Sequence, residues 1–121
     1  DASTPFTLFG QEVIPIAVEH GSLPILGYRI GKLAYITDAK HVQEAELSKL
    51  YKVDTLVLNA LRKAPHPTHL NIAEAMEIVK EVHPRQAFFT HISQTMGFHA
   101  KVQKELPKNV YLAYDKLTIK I

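Results

Sequence analysis

The chain has 121 residues, 46% hydrophobic and 21% charged, the composition of one ordinary globular domain. It holds no Cys, which excludes disulfides and thiolate metal sites, and its net charge of +2 is too small to argue for nucleic acid or a membrane surface. No apolar run approaches the roughly 20 residues that a spanning helix needs.

Taken in chain order, Thr7–Phe9 with Gly10-Gln11 predicts a short strand and a turn. Glu12–Glu19, rich in Val and Ile, reads as a buried strand, and Pro15 within it points to a sheet edge or a bulge. Leu26–Ile30 and Leu33–Thr37 flank Gly31-Lys32, a two-residue hairpin with the II′ preference. Gln43–Leu50 predicts a short helix and Thr55–Asn59 a strand. Ala60–Leu70, with two Pro and two His, is a loop. Asn71 with Glu74 three residues later forms a capping signal, and Ile72, Ala75, Met76, Val79 and Val82 follow helical spacing until His83-Pro84. Gln86–Thr90 is a strand, Gly97–Leu106 a helix, and Val110–Ala113 and Leu117–Lys120 are closing strands around a turn at Tyr114-Asp115-Lys116. Several strands followed by alternating helices and strands imply an α/β (α+β) fold on a mixed sheet, with no linker or internal repeat.

Seven His stand out beside fourteen Lys plus Arg. In open α/β sheets, ligands bind beyond the carboxyl ends of the strands. Those exits carry His20, Asp38, the loop with His66 and His69, and His91. Neutral imidazoles around a carboxylate suit zinc, manganese or iron and do not suit calcium. A bound metal would lower the pKa of its water to roughly 7, and a free His could protonate a leaving group. The plain alternative for each residue is a cap, a turn or a surface group. His41, His83 and His99 fall in helices or at their ends and read as surface residues. Asn59 reads as a group that satisfies backbone in its loop, and Tyr28, Tyr35, Tyr111 and Tyr114 as core or sheet-face residues.

The stretches VEHGSLPILGYRIGKLAYITDAK, DTLVLNALRKAPHPTHLNIAEAMEIVKEVHPRQAFFTHIS and LPKNVYLAYDKLTI together resemble the C-terminal half of the metallo-β-lactamase-fold hydrolases. The similar branch is the phosphodiesterase-like one, which includes the phosphonate-pathway cyclic phosphodiesterase and tRNase Z. The resemblance implies half of an αββα sandwich, with helices on one face of the sheet and an apolar opposite face for the other half to cover. It implies His20 as the third His ligand of a first metal, Asp38 as the carboxylate bridging two metals, and His91 as the last His ligand of the second metal. It implies His69 as a catalytic general acid or phosphate-binding residue near the scissile phosphate, with His66 beside it in the substrate loop. Two divalent ions, zinc or manganese, are implied for the intact protein.

The family's HxHxDH signature belongs to the other half, and this sequence holds no His-x-His. Three ligands alone would bind metal weakly or not at all. Residues 1–121 are therefore expected to be one partial domain, and the start at Asp1 without Met agrees with a piece of a longer chain. The expected parent is a cytoplasmic metal-dependent phosphodiesterase acting on a phosphoester small molecule or a nucleotide-like substrate. The expected partner of the bare sheet face is a second copy of the chain, in a homodimer. The alternative is a non-catalytic scaffold or interaction module that has lost the metal site. Membrane association and nucleic-acid binding are not expected.

Overall fold

The computed structural model describes residues 4–93 and 96–119. In chain order the elements are β1 (Phe6–Leu8), β2 (Gln11–His20), β3 (Leu23–Ile30), β4 (Leu33–Ile36), α1 (Glu44–Leu47), β5 (Thr55–Asn59), α2 (Ile72–Val82), β6 (Gln86–Thr90), α3 (His99–Glu105) and β7 (Val110–Leu112). The strands form one sheet in the order β1-β2-β3-β4-β5-β6-β7. The pairs from β1 to β4 are antiparallel and those from β4 to β7 are parallel. This is the expected mixed sheet.

The turns explain the antiparallel half. Phe9 and Gly10 both have positive φ (50° and 77°), the pattern of a I′ hairpin between β1 and β2. Gly31 has φ 58° and Lys32 is not in the positive region, as a II′ turn requires. The sequence places the start of β3 at Leu26. The structure starts it at Leu23, because a tight turn at Gly21-Ser22 pairs His20 with Leu23.

Pro15 does mark an edge. β1 pairs only as far as Val13, so the outer side of β2 beyond it is open. There Pro15 lacks an N–H to satisfy, and its carbonyl accepts from Lys49 Nζ at 3.2 Å. The next outward N–H, that of Ala17, donates to Glu46 Oε2 at 3.0 Å, and Glu19 exchanges backbone hydrogen bonds with His41. The other flank is closed in a similar way. Gln103 of α3 donates to the Val110 carbonyl and accepts from the Leu112 N–H, both at 2.8 Å. That side-chain plug occupies the position where a further strand would pair. Leu117–Ile119, expected to begin a closing strand, accordingly forms none, and Lys120 lies outside the described residues. The expected helix over Gln43–Leu50 is an α-turn followed by a 3-10 turn at Ser48–Leu50, because Gln43 makes no side-chain cap. The helix expected from Gly97 begins at His99.

The core lies on one face. Alternate residues Ile16, Val18, Ala34, Ile36, Leu56, Leu58, Ala87, Phe89, Val110 and Leu112 pack with Leu50, Ala75, Ile78, Val79, Val82 and Val102. In α2 the buried set Ala75, Ile78, Val79 and Val82 has the helical spacing read from the sequence. The capping box is complete: Asn71 Oδ1 accepts from the Glu74 N–H at 2.8 Å, and Glu74 Oε1 accepts from the Asn71 N–H at 3.0 Å. His83, in the left-handed region at φ 57°, ends the helix.

The opposite face carries an aligned row, Pro15, Tyr28, Tyr35, Val57, Phe88 and Tyr111, in register across six strands. Tyr28, Tyr35 and Tyr111 remain 38%, 52% and 40% exposed. No helix of the described residues is long and apolar enough to cross a membrane.

Candidate metal centre

Four connections meet at one end of the sheet. His20 closes β2, and Asp38 follows β4 by two residues. His66 and His69 lie on the loop between β5 and α2, and His91 follows β6 directly. Parallel strands place their carboxyl ends together, so residues far apart in sequence become neighbours.

The Asp38 carboxylate is the centre of the group. Its Oδ1 lies 3.3 Å from His69 Nε2 and 3.2 Å from His91 Nε2. His20 Nδ1 donates to the Asp38 carbonyl at 2.7 Å. That bond places the His20 proton on Nδ1 and leaves the Nε2 lone pair free, the arrangement a metal-ligating imidazole needs. One donor atom from each of His20, Asp38 and His69 lies within 4.8 Å of the other two. The rings of His20, His66 and His91 surround that of His69, with centroids 4.6, 5.0 and 4.8 Å away. The five residues singled out from the sequence are thus together. His69 sits inside the donor group, although the resemblance gave it a separate role.

Burial lowers the pKa of His69, and the neighbouring imidazoles of His91, His20 and His66 lower it further, against a hydrogen bond to the Asp38 carboxylate that raises it. The lowered pKa favours the neutral form of His69, the form that can donate a lone pair to a metal.

Two of these residues have strained backbones. Asp38 and His91 have φ of 62° and 59°, in the left-handed region. Such a conformation costs of order 1–3 kcal/mol outside Gly, with Asp and His among the side chains that tolerate it best. In both cases the strand stops and the side chain turns across the sheet end.

Two contributors carried no signal in the sequence. Thr68 donates its N–H to His66 Nδ1 at 3.1 Å, and its hydroxyl lies 3.1 Å from His69 Nδ1, so it orients both rings. Gly21 has φ 61°, and a Cβ there would meet Thr68 Cγ2 at 2.9 Å. Only Gly lets the turn after His20 approach the His69 loop so closely.

Lys40 fastens the segment after Asp38 to the first turn of α2 from outside, with Nζ 2.9 Å from Glu74 Oε2. Burial works to raise the pKa of Glu74, but hydrogen bonds from Lys40 and from the Asn71 N–H outweigh it and hold it below its ordinary value. A depressed carboxylate stabilises the fold above its unfolded pKa, about 4.3, and that stability is lost as pH falls through the folded value. Thermal melts of unaltered and Glu74→Gln protein are therefore expected to differ at pH 7 and to converge below about pH 4. A gap that stays constant with pH would count against the ion pair.

Comparison with known proteins supports this reading. Residues 1–92 match the beta-lactamase superfamily domain. The structure resembles a diphosphatase of the PhnP family, with 36% identity and a TM-score of 0.94 over 98% of this chain and 47% of that one. It shares its fold with human tRNase Z, short form, at 20% identity and a TM-score of 0.75, over 96% of this chain and 44% of that one. The chain is also 32% identical to an octanoyltransferase of Porphyromonas gingivalis, over 93% of its own length and 23% of that protein. It thus spans about half of these structural relatives or less, and under a quarter of the curated one. The metallo-β-lactamase fold implies divalent metal ions, and the imidazole and carboxylate donors around Asp38 fit them. Matched in sequence over residues 1–92 and in structure over nearly its whole length, the chain belongs to the beta-lactamase superfamily domain family.

Proposed function

We propose that the chain carries half of the active site of a metal-dependent phosphodiesterase. The observation that carries this reading is the convergence of His20, Asp38, His69 and His91 from four separate connections, with the His20 Nε2 lone pair left free. The resemblance to a diphosphatase at 36% identity points the chemistry towards phosphoesters.

In this reading His20, Asp38 and His91 would hold zinc or manganese, with Asp38 as the ligand common to two ions. The metals, when bound, would supply a water of lowered pKa and offset charge on the phosphoryl oxygens. His69 Nε2 lies 3.3 Å from Asp38 Oδ1, so a proton taken up by His69 would be held there by the carboxylate for a departing ester oxygen. Thr68 keeps His66 and His69 aimed into the site, and His66 contacts the substrate phosphate. The exposed tyrosine row belongs to an interface, with a second αβ half or a second copy of this chain over it.

A second reading is hydrolysis of an acyl ester, favoured by the 32% identity to an octanoyltransferase. Assays of the intact polypeptide with bis(p-nitrophenyl) phosphate and p-nitrophenyl octanoate separate the two. The expected result is metal-dependent release from the phosphodiester, with kcat lowered by about 10²–10⁴-fold in His69→Ala at unchanged metal content. Release from the octanoate alone would establish the acyl reading. An intact polypeptide that takes up no zinc or manganese and hydrolyses neither probe would sink both, and leave a non-catalytic scaffold.

A further inference from the structure

The strand β5 is buried along its whole length, and its last residue is polar. Asn59 is fully buried, between Leu58 and Ala60, which are fully buried as well. A buried carboxamide costs free energy unless each half finds a partner. Both halves do, and on the same residue. Asn59 Oδ1 accepts from the Ala39 N–H at 2.9 Å, and Nδ2 donates to the Ala39 carbonyl at 2.7 Å.

The place of this clamp matters. The parallel pairing of β4 with β5 runs from Leu33 with Thr55 to Ile36 with Leu58. Beyond it the left-handed Asp38 turns the backbone away, so main-chain pairing cannot continue. The Asn59 side chain takes over where the ladder stops and holds the peptide that follows Asp38. The same Ala39 carbonyl also accepts from the Leu70 N–H at 2.8 Å, and Leu70 is the residue after His69. The next residue along, Ala60, donates its N–H to the carbonyl of Thr90 at 3.0 Å, just before His91. The segment Asn59-Ala60 thus touches the backbones that carry Asp38 and His91, and reaches the one that carries His69 through Ala39.

We propose that Asn59 is the positioning residue of the metal centre: by clamping the Ala39 peptide it holds Asp38 in its left-handed conformation, aimed at His69 and His91. The inference rests on the metal-centre reading above and goes beyond it. Asn59 touches neither substrate nor donor atoms. It sets the separation of the donors through the backbone.

The test compares the unaltered intact polypeptide with Asn59→Ala and Asn59→Asp. Val82→Ala, at a buried site in α2, controls for lost stability. Backbone coupling constants of the metal-free proteins report φ at Asp38. Titration with Co²⁺, followed by visible absorption, reports affinity and coordination geometry. In the Asn59 variants φ at Asp38 is expected to leave the left-handed region. Co²⁺ affinity is expected to fall about 10–100-fold with an altered spectrum, while Val82→Ala keeps both. Should Asn59→Ala fail to fold, Asn59→Asp carries the comparison, since it keeps size and the Oδ1 acceptor and loses the donor. An Asn59 variant with Asp38 still left-handed and an unchanged Co²⁺ spectrum overturns the proposal, as does an equal loss of Co²⁺ in Val82→Ala. If the unaltered protein takes up no Co²⁺, the metal-centre reading falls, and φ at Asp38 alone decides the role of Asn59.

Discussion

Asp38→Asn in the intact polypeptide is expected to abolish tight metal binding and to lower hydrolytic turnover on the order of 10³-fold, with the melting temperature changed by only a few degrees. The asymmetry follows from what the substitution removes. Asn keeps the volume of Asp and tolerates the left-handed φ of 62°. The backbone of Asp38 still accepts from His20 Nδ1. What disappears is the negative charge that His69 and His91 face at 3.3 and 3.2 Å. Without it, cations near four imidazoles lose the anionic ligand that this chain supplies. Asp38→Ala is a poorer probe, because Ala in the left-handed region adds about 1–2 kcal/mol of backbone strain to the lost charge. Metal content by elemental analysis, kcat and a thermal melt check the expectation. Full metal content with unchanged turnover would show that Asp38 only terminates its strand.

The largest loss of stability is expected from Phe89→Ala. Phe89 is fully buried in β6, opposite Leu58 of β5 and Leu112 of β7. Removing a buried Phe side chain costs about 3–5 kcal/mol, because the lost transfer free energy and the cavity add. Against a total stability of about 5–15 kcal/mol, that is a large share. The melting temperature is expected to drop on the order of 10–20 °C. Metal binding should fail with it, since β6 ends at Thr90 and the next residue is His91. By contrast, truncation of Tyr35, on the exposed face, should stay within about 0.5 kcal/mol in this chain. Denaturant midpoints at unchanged slope measure both. Near-equal losses at the two positions would mean that the tyrosine face is as well packed as the core.

Local chemistry made some of this legible in advance. The helix after Asn71 was readable because cap, box and apolar spacing agree over a dozen residues. Strands β5 and β6 were readable because compact apolar runs end in polar or turn-forming residues. The loop ends also pointed to the site, since residues that follow parallel strands must gather at one sheet edge. What escaped was set by contacts at long range. Gly21 and Thr68 are 47 positions apart, and nothing near either residue announces that they touch. The left-handed conformations of Asp38 and His91 are permitted by residue type and imposed only by the packing around them. How near His69 comes to Asp38 was not readable, because that distance depends on how the loop folds back over Leu61 and Ala39. The strand expected to begin at Leu117 had apolar residues but, over the described part to Ile119, no free edge, since Gln103 already occupies the flank of β7.

The aligned tyrosines have an optical consequence. The chain contains no Trp and five Tyr, so its ultraviolet emission is tyrosine emission alone. Three of those five rings, Tyr28, Tyr35 and Tyr111, stand in one row on the exposed side of the sheet. Whatever comes to rest on that side therefore changes the surroundings of most of the fluorophores at once. The protein carries its own reporter for association through that face, and no dye or tag is needed to follow it.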